Sequence, residues 1–330
     1  MKSGFQNNFP NQNRERVFDL ETKEIKTQIK NFARSSGFSA VGIACCKLFA
    51  EETERVSRWF SDGCAGPLDY LSPEIILDPR RVFPDAKTAI VVFLPYARPK
   101  AVPGGAEGSL KLSRYLWGPD YHKILKERLF SLLEYIKGQL PGVSGRVCVD
   151  TAPLMERKLA VQAGLGWQGK NTLLIAGRQG SWGFLGALLL DIALDPDTPF
   201  EGDRCGSCSR CIDACPTKAL EPFRLNCSRC LTTWNIEREG VPPECVSGAI
   251  SKTGWAAGCD ICQEVCPWND SPVWGDPELW GNPSMLHTWP AEKLRVTPSQ
   301  WKKITKGTAL RRVRFRHWMA NLGLAEKSKL

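Results

Sequence analysis

Ten of the fourteen cysteines in this 330-residue chain fall between Cys205 and Cys266, and no other feature limits the fold as tightly. They form two runs, CGSCSRCIDACP (205–216) and CDICQEVCP (259–267), each closed by Cys-Pro, with Cys227, Cys230 and Cys245 between them. Such a density suggests disulfides in a small exported chain, but metal or redox chemistry in a long chain without an export signal. The first twenty residues, MKSGFQNNFPNQNRERVFDL, hold no apolar stretch of the signal-peptide kind. The longest apolar run, Trp182 to Leu190, is far short of the roughly 20 residues that span a bilayer. The expectation is therefore a cytoplasmic, non-membrane protein that binds metal. The other four cysteines, Cys45, Cys46, Cys64 and Cys148, read as small buried hydrophobes.

The spacing C-x2-C-x2-C-x3-C-P is that of the bacterial ferredoxin run, in which the fourth cysteine serves the other cluster. Three closely spaced thiolates grip three irons of a cubane, and the fourth iron needs a ligand from elsewhere. On that logic Cys205, Cys208, Cys211 and Cys266 hold one [4Fe–4S] cluster. Cys215, Cys259 and Cys262 hold a second, completed by Cys227, Cys230 or Cys245. Paired CxxC motifs also build zinc ribbons, but zinc does not call for two interlocked runs each ending in Cys-Pro. Two adjacent low-potential clusters make an electron wire, and a wire implies an acceptor in the preceding part of the chain. No G-x-G-x-x-G fingerprint supplies one, and GLGWQGKN (164–171) has neither that spacing nor a P-loop's.

Up to about residue 200 the pattern alternates. Ile25, Ile29 and Phe32 sit at helical spacing before Gly37; FSAVGIA (38–44) and TAIVVFLPY (88–96) read as strands. A long amphipathic helix after Pro119 carries Ile124, Leu125, Leu129, Leu132, Leu133 and Ile136. A short strand RVCVD (146–150), a helix over 153–163, and the strands NTLLIA and FLGALLLDIAL follow. This predicts an α+β protein: a disordered lead-in (1–14), a mixed α/β core (15–200), a ferredoxin-like two-cluster module (201–270) and a basic helical C-terminal segment (271–330). Nine Lys or Arg against one Glu over 301–330 give that end a local +8 and leave the preceding 300 residues at +1. A localised basic end with Trp301, Phe315 and Trp318 among its cations suits a polyanion, and Arg311, Arg312 and Arg314 are its candidate RNA contacts. An amphipathic helix with a merely solvated arginine face would read the same way.

The stretch DTAPLMERKLAVQAGLGWQGKNTLLI (150–175), with SRYLWGPDYH (113–122), both cysteine runs and CPWN (266–269), resembles the epoxyqueuosine reductase family, relatives of the corrinoid reductive dehalogenases. The resemblance covers about residues 20–325. It implies a nitroreductase- or reductive-dehalogenase-like core that binds cobalamin beside two [4Fe–4S] clusters, and reduction of epoxyqueuosine to queuosine in a tRNA anticodon. It implies that electrons pass through the clusters to cobalamin from a ferredoxin or flavodoxin, in a monomer. It makes Asp150 the proton donor and a cofactor neighbour. It places Ser113, Arg114, Leu174, Leu185, Glu264 and Val265 against cobalamin, and its alignment of CLTTWNIE (230–237) selects Cys230 as the last cluster ligand. To donate near neutral pH, Asp150 should have a raised pKa. From the residues alone, DTAP reads first as a helix cap, with Asp or Thr capping and Pro in the first turn.

Some positions depart from the family pattern. ILDP (76–79) has Ile76 where an arginine is expected, Ala320 precedes Asn321, and Thr232-Thr233 replaces Ser-Tyr. DYHKIL (120–125) nearly spells a cobalt-ligating histidine motif, but Leu125 stands where glycine is required, so His122 reads as a structural or substrate-side histidine. The rival readings are a corrinoid reductase of small molecules and a non-catalytic electron carrier for another corrinoid protein.

Overall fold

The computed structural model describes residues 12–97, 110–275, 279 and 291–326. Most of the expected lead-in and of the loop at 97–111 lies outside these. Helix α1 (Gln12–Ser35) begins earlier than its apolar spacing suggested. It leads into β1 (Ala40–Cys45), α2 (Thr53–Ser61) and β2 (Thr88–Pro95). After α3 (Tyr121–Gln139) come β3 (Gly145–Cys148), α4 (Glu156–Gln162) and β4 (Gly183–Leu190). The four strands form one antiparallel sheet in the order β1-β2-β4-β3. NTLLIA contributes only Leu174–Ile175, paired with Trp167–Gln168 as a small separate ribbon. Gly166 permits that ribbon, because a Cβ there would lie 2.0 Å from the carbonyl oxygen of Ile175.

Strand β2 explains why its sequence is apolar without alternation. It pairs on both edges, and all eight residues are buried. Ile90, Val92 and Leu94 face one apolar cluster with α1 and α3; Ala89, Val91 and Phe93 face another with α2 and α4. Side chains alternate across a strand, so a sheet covered on both faces needs apolar residues at every position.

Past residue 200 the packing does not break where the chemistry changes. Leu231, Ile236, Val246 and Ile250 belong to the same cluster as α1 and α3. Trp255–Ala257 pairs in parallel with Lys111–Leu112. Helices α5 (Arg210–Ala214), α6 (Glu244–Thr253) and α7 (Ile261–Glu264) carry or follow the cysteines, and α8 (Pro298–Ile304) and α9 (Phe315–Glu326) close the chain. The basic end is no loose appendage. Leu310, Val313, Trp318 and Leu322 are fully buried in the main core, and the Trp301 and Trp318 rings stack at 4.7 Å. Three of the four outlying cysteines are buried as expected, whereas Cys45 is exposed at the end of β1. No helix among the described residues is long and apolar enough to cross a membrane. Replacing Trp318 by Ala should cost about 3–5 kcal/mol, the usual range for a large buried aromatic; a urea midpoint close to that of the unsubstituted protein would show that the C-terminal helices are dispensable.

Candidate active site

The eight paired cysteines sort into two cavities. Cys205, Cys208, Cys211 and Cys266 line a small one of about 50 Å3. Cys215, Cys230, Cys259 and Cys262 line a larger one of about 420 Å3 that is open to solvent. Each run thus sends its last cysteine across to the other's group. Cys227 is buried elsewhere, its amide bonded to the Cys64 carbonyl, and Cys245 is exposed on α6. Among the described residues no three Cys, His, Asp or Glu side chains converge on a single-ion position. The thiols instead surround cavities, which suits a multi-iron cubane better than one tetrahedral zinc. The amide of Ala219 donates to Cys215 Sγ at 3.3 Å, the kind of bond that stabilises a thiolate ligand.

The second run is stitched to the sheet through CPWN. Asn269 donates to Ser181 Oγ and to the Gln263 carbonyl, both at 2.9 Å, and its Oδ1 accepts from the Ser181 amide at 2.7 Å. Cys230 is placed by a π-helical turn, Thr233–Glu237, around the fully buried Asn235. The Asn235 amide donates to the carbonyls of Trp255 (3.2 Å) and Gly258 (3.0 Å) and accepts from the Gly258 amide (2.9 Å). Gly258 adopts φ +68°, and a Cβ there would strike Ser113 Oγ at 2.1 Å. Only glycine lets this turn lie against the Ser113 side of the cavity.

The same cavity is lined by the titratable Asp150, Glu237 and Arg312. Asp120 caps α3 by accepting from the His122 amide at 3.1 Å, and its Oδ1 lies 2.7 Å from His122 Nδ1. The other ring nitrogen, Nε2, lies 3.0 Å from Asp150 Oδ2. Arg312 Nη1 donates to the same oxygen at 3.2 Å, and Nη2 donates to Glu237 at 3.2 Å. The Asp150 amide donates to Glu156 Oε1 at 3.0 Å, holding the backbone at φ +54°. Helix α4 starts only at Glu156 with Met155 before it, so Asp150 is not its cap. The Tyr121 ring stacks on His122 and on Phe184, with centroids at 4.1 and 3.9 Å.

These contacts reverse the expected pKa of Asp150. The surrounding protein pushes its carboxyl up, but the His122 bond and the Arg312 charge outweigh that and hold it below the usual carboxylate range. Burial pulls His122 down, yet its bonds to Asp120 and Asp150 prevail and raise it to about 9. At neutral pH the proton therefore rests on His122. Burial, with the Asp150 charge beside it, pushes Glu156 up to about 8.

The candidate cofactor contacts divide. Ser113 and Asp150 line the larger cavity. Ser113 is 1% exposed and lines the cavity together with Asp260. Arg114 lies 4.5 Å over the Trp182 ring and pairs with Glu264 at 3.2 Å, beside Val265. Leu174 and Leu185 pack into the second apolar cluster, while their neighbours Leu173 and Phe184 reach the cavity. Polar Ser113, Asp150 and Asn171 set among the apolar Leu173, Phe184 and Leu231 fit a large, mixed-polarity cofactor. Ile76 packs against the second apolar cluster and does not line the cavity, whereas Thr232 does. Arg312, expected among RNA phosphates, is turned inward onto Asp150 and Glu237. Arg311 donates to the Lys302 carbonyl, and Arg314 pairs with Glu239 at 3.4 Å.

Residues 77–151 match the family model described as epoxyqueuosine reductase QueG, DUF1730, and residues 204–269 match the 4Fe-4S double cluster binding domain. The epoxyqueuosine reductase of Cyclobacterium marinum is 36% identical over 307 residues, covering 92% of this chain and 97% of that protein. This chain belongs to the epoxyqueuosine reductase family. It is an iron–sulfur oxidoreductase with a double-cluster domain. Among solved structures, an epoxyqueuosine reductase with a tRNA-Tyr epoxyqueuosine-modified stem loop matches with a TM-score of 0.83 at 28% identity, over 92% of this chain and 81% of that one. The Bacillus subtilis epoxyqueuosine reductase with its catalytic aspartate loop swung out of the active site matches with a TM-score of 0.83 at 27% identity, over the same shares.

The grouping of thiols is open to a direct test. Cys230→Ser and Cys266→Ser should each lose about half of the bound iron and sulfide, from different clusters by electron paramagnetic resonance. Cys227→Ser should keep full iron; loss of iron there would reassign the fourth ligand.

Proposed function

We propose that this protein reduces epoxyqueuosine to queuosine in a tRNA anticodon, with Asp150 as the proton donor and His122 as the store of that proton. One observation carries the reading: Asp150, whose Oδ2 lies 3.0 Å from His122 Nε2, lines the same cavity as Cys215, Cys230, Cys259 and Cys262. Removing an epoxide oxygen to leave an alkene consumes two electrons and two protons and releases water, so an electron source and an acid must face the same substrate.

Cys205, Cys208, Cys211 and Cys266 would hold the first cluster, and Cys215, Cys230, Cys259 and Cys262 the second. An external ferredoxin or flavodoxin would supply the electrons; Arg204, Arg210 and Lys170 line the first cavity and favour an acidic donor. Ser113, Arg114 and Asp150, with the backbone around Leu174 and Leu185 and the Glu264–Val265 turn, would hold cobalamin. When bound, cobalamin supplies a cobalt centre able to take electrons singly and act on carbon.

The residues of the chain manage the proton. Before substrate enters, His122 Nε2 holds it against Asp150 Oδ2, and Arg312 steadies the carboxylate. Filling the cavity expels water and disfavours the separated charges, which moves the proton from Nε2 to Oδ2. Asp150 then faces the epoxide oxygen as an acid. Asp120 keeps the imidazole oriented, and Glu156 fixes the Asp150 backbone.

The reading is tested by anaerobic incubation of the reconstituted, cobalamin-loaded protein with epoxyqueuosine-containing tRNA and a strong reductant, the nucleosides being read by mass. Queuosine should form; fully loaded protein that forms none would sink the proposal. Asp150→Asn should keep both clusters and lose turnover by at least about a hundredfold. Turnover should fall as pH rises through about 9, where His122 loses its proton. His122→Gln should be slower and should lack that limb, whereas Glu156→Gln should alter only an ionisation near 8. The same His122 shift should stabilise the fold below the unfolded pKa of about 6.5 and be lost as pH rises towards about 9.

A further inference from the structure

Three aromatic side chains are exposed among the described residues: Tyr70 at 60%, Phe130 at 53% and Trp274 at 52%. Phe130 lies nine residues along α3 from Tyr121, about 13 Å from the cavity end of that helix. Trp274 follows the second cysteine run. Tyr70 is the one whose loop a set of specific bonds ties to the segment next to the cavity-lining Glu237. Its loop is fastened to the cysteine region where the Cys64 carbonyl accepts from the Cys227 amide at 2.8 Å. Gly66 lies so close to Ser228 that a Cβ would meet its amide nitrogen at 2.7 Å. Asp69, the residue before Tyr70, pairs with Arg238 at 2.9 Å.

Arg238 stands between two residues that look the other way. Glu237 lines the cavity and pairs with Arg312, while Glu239 pairs with Arg314, whose side chain is 80% exposed. Three consecutive residues thus tie the Tyr70 loop, the cavity wall and the basic C-terminal segment into one rim. The Tyr70 phenol sits close enough to feel the charges of Glu237, Arg312 and Asp150.

We propose that Tyr70 is a stacking platform for an unpaired base of the RNA substrate, next to the nucleoside that enters the cavity. The proposal rests on the tRNA reading above and names the part of the substrate that this rim holds. A nucleoside that reaches an enclosed site must leave its stack, which exposes the face of its neighbour. An aromatic ring at the mouth replaces the lost stacking partner, and nearby arginines take the phosphates. An exposed ring on a rim that also carries the exposed Arg314 fits a single-stranded nucleic acid.

The test uses the reconstituted holoenzyme and an epoxyqueuosine-containing anticodon stem loop, with affinity read by fluorescence anisotropy at several salt concentrations. Tyr70→Ala and Tyr70→Leu should weaken binding about tenfold, and Tyr70→Phe should stay within about twofold. The slope of log affinity against log salt should be unchanged in all three, whereas Arg314→Glu should make it shallower. Unchanged affinity in Tyr70→Ala, equal losses in Tyr70→Phe and Tyr70→Ala, or an altered salt slope would each overturn the platform. Tyr70-dependent binding without reduction by the unsubstituted protein would keep the platform and sink the proposed reaction. No binding of the stem loop by the unsubstituted protein would overturn both.

Discussion

The buried amide of Asn235 is the contact on which the rest of the site depends. Its side chain makes three hydrogen bonds to the turn before Cys259, and its own carbonyl accepts from Asn321 Nδ2 at 2.9 Å in the last helix. A fully satisfied polar group in an apolar interior resists displacement, because breaking any one bond leaves a desolvated donor or acceptor. Here that resistance fixes three segments at once. Cys230 and Glu237 flank Asn235 in sequence, the Gly258 turn presents Cys259 and Asp260, and α9 anchors the segment that carries Arg312. The cavity has its shape because these pieces cannot slide independently.

The same logic explains how four cysteine thiols and the Asp150 carboxyl share one space. The double-cluster region contributes the thiols, the segment after the edge strand β3 contributes Asp150, and the start of α3 contributes Tyr121. The short parallel pairing of Trp255–Ala257 with Lys111–Leu112 joins them, with the Arg114 amide donating to Asp260 Oδ2 at 2.7 Å. Arg312 and His122 share Asp150, with Glu237 as the other carboxylate of Arg312 and Asp120 as the other of His122.

Much of this arrangement is legible in the residue order. Cysteine spacing anticipates how the thiols divide between two cavities, because three ligands close in sequence leave one corner of a cubane to a distant residue. The resemblance at CLTTWNIE selects Cys230, which the structure places with Cys215, Cys259 and Cys262. The apolar run of β2 signals a strand covered on both faces. Other features depend on contacts between distant residues and leave no local mark. His122 and Asp150 are 28 positions apart, and nothing in DYHKIL or DTAP states that they touch. Arg312 sits in a basic stretch that reads as uniformly solvated, yet its neighbours Leu310 and Val313 turn inward and aim it at the cavity. Glu156 appears as an ordinary first-turn glutamate until the Asp150 amide is seen to point at it.

Asp150 occupies left-handed backbone, where an L residue with a side chain pays a modest conformational penalty. Asparagine tolerates that region about as well as aspartate does, so exchanging the two alters the acid and leaves the backbone alone. Glycine would suit the backbone better than either. Backbone comfort and the carboxyl group therefore pull in opposite directions at this one position, and a search for hardier variants that scored folding alone would tend to discard the carboxylate that holds His122 and Arg312 together.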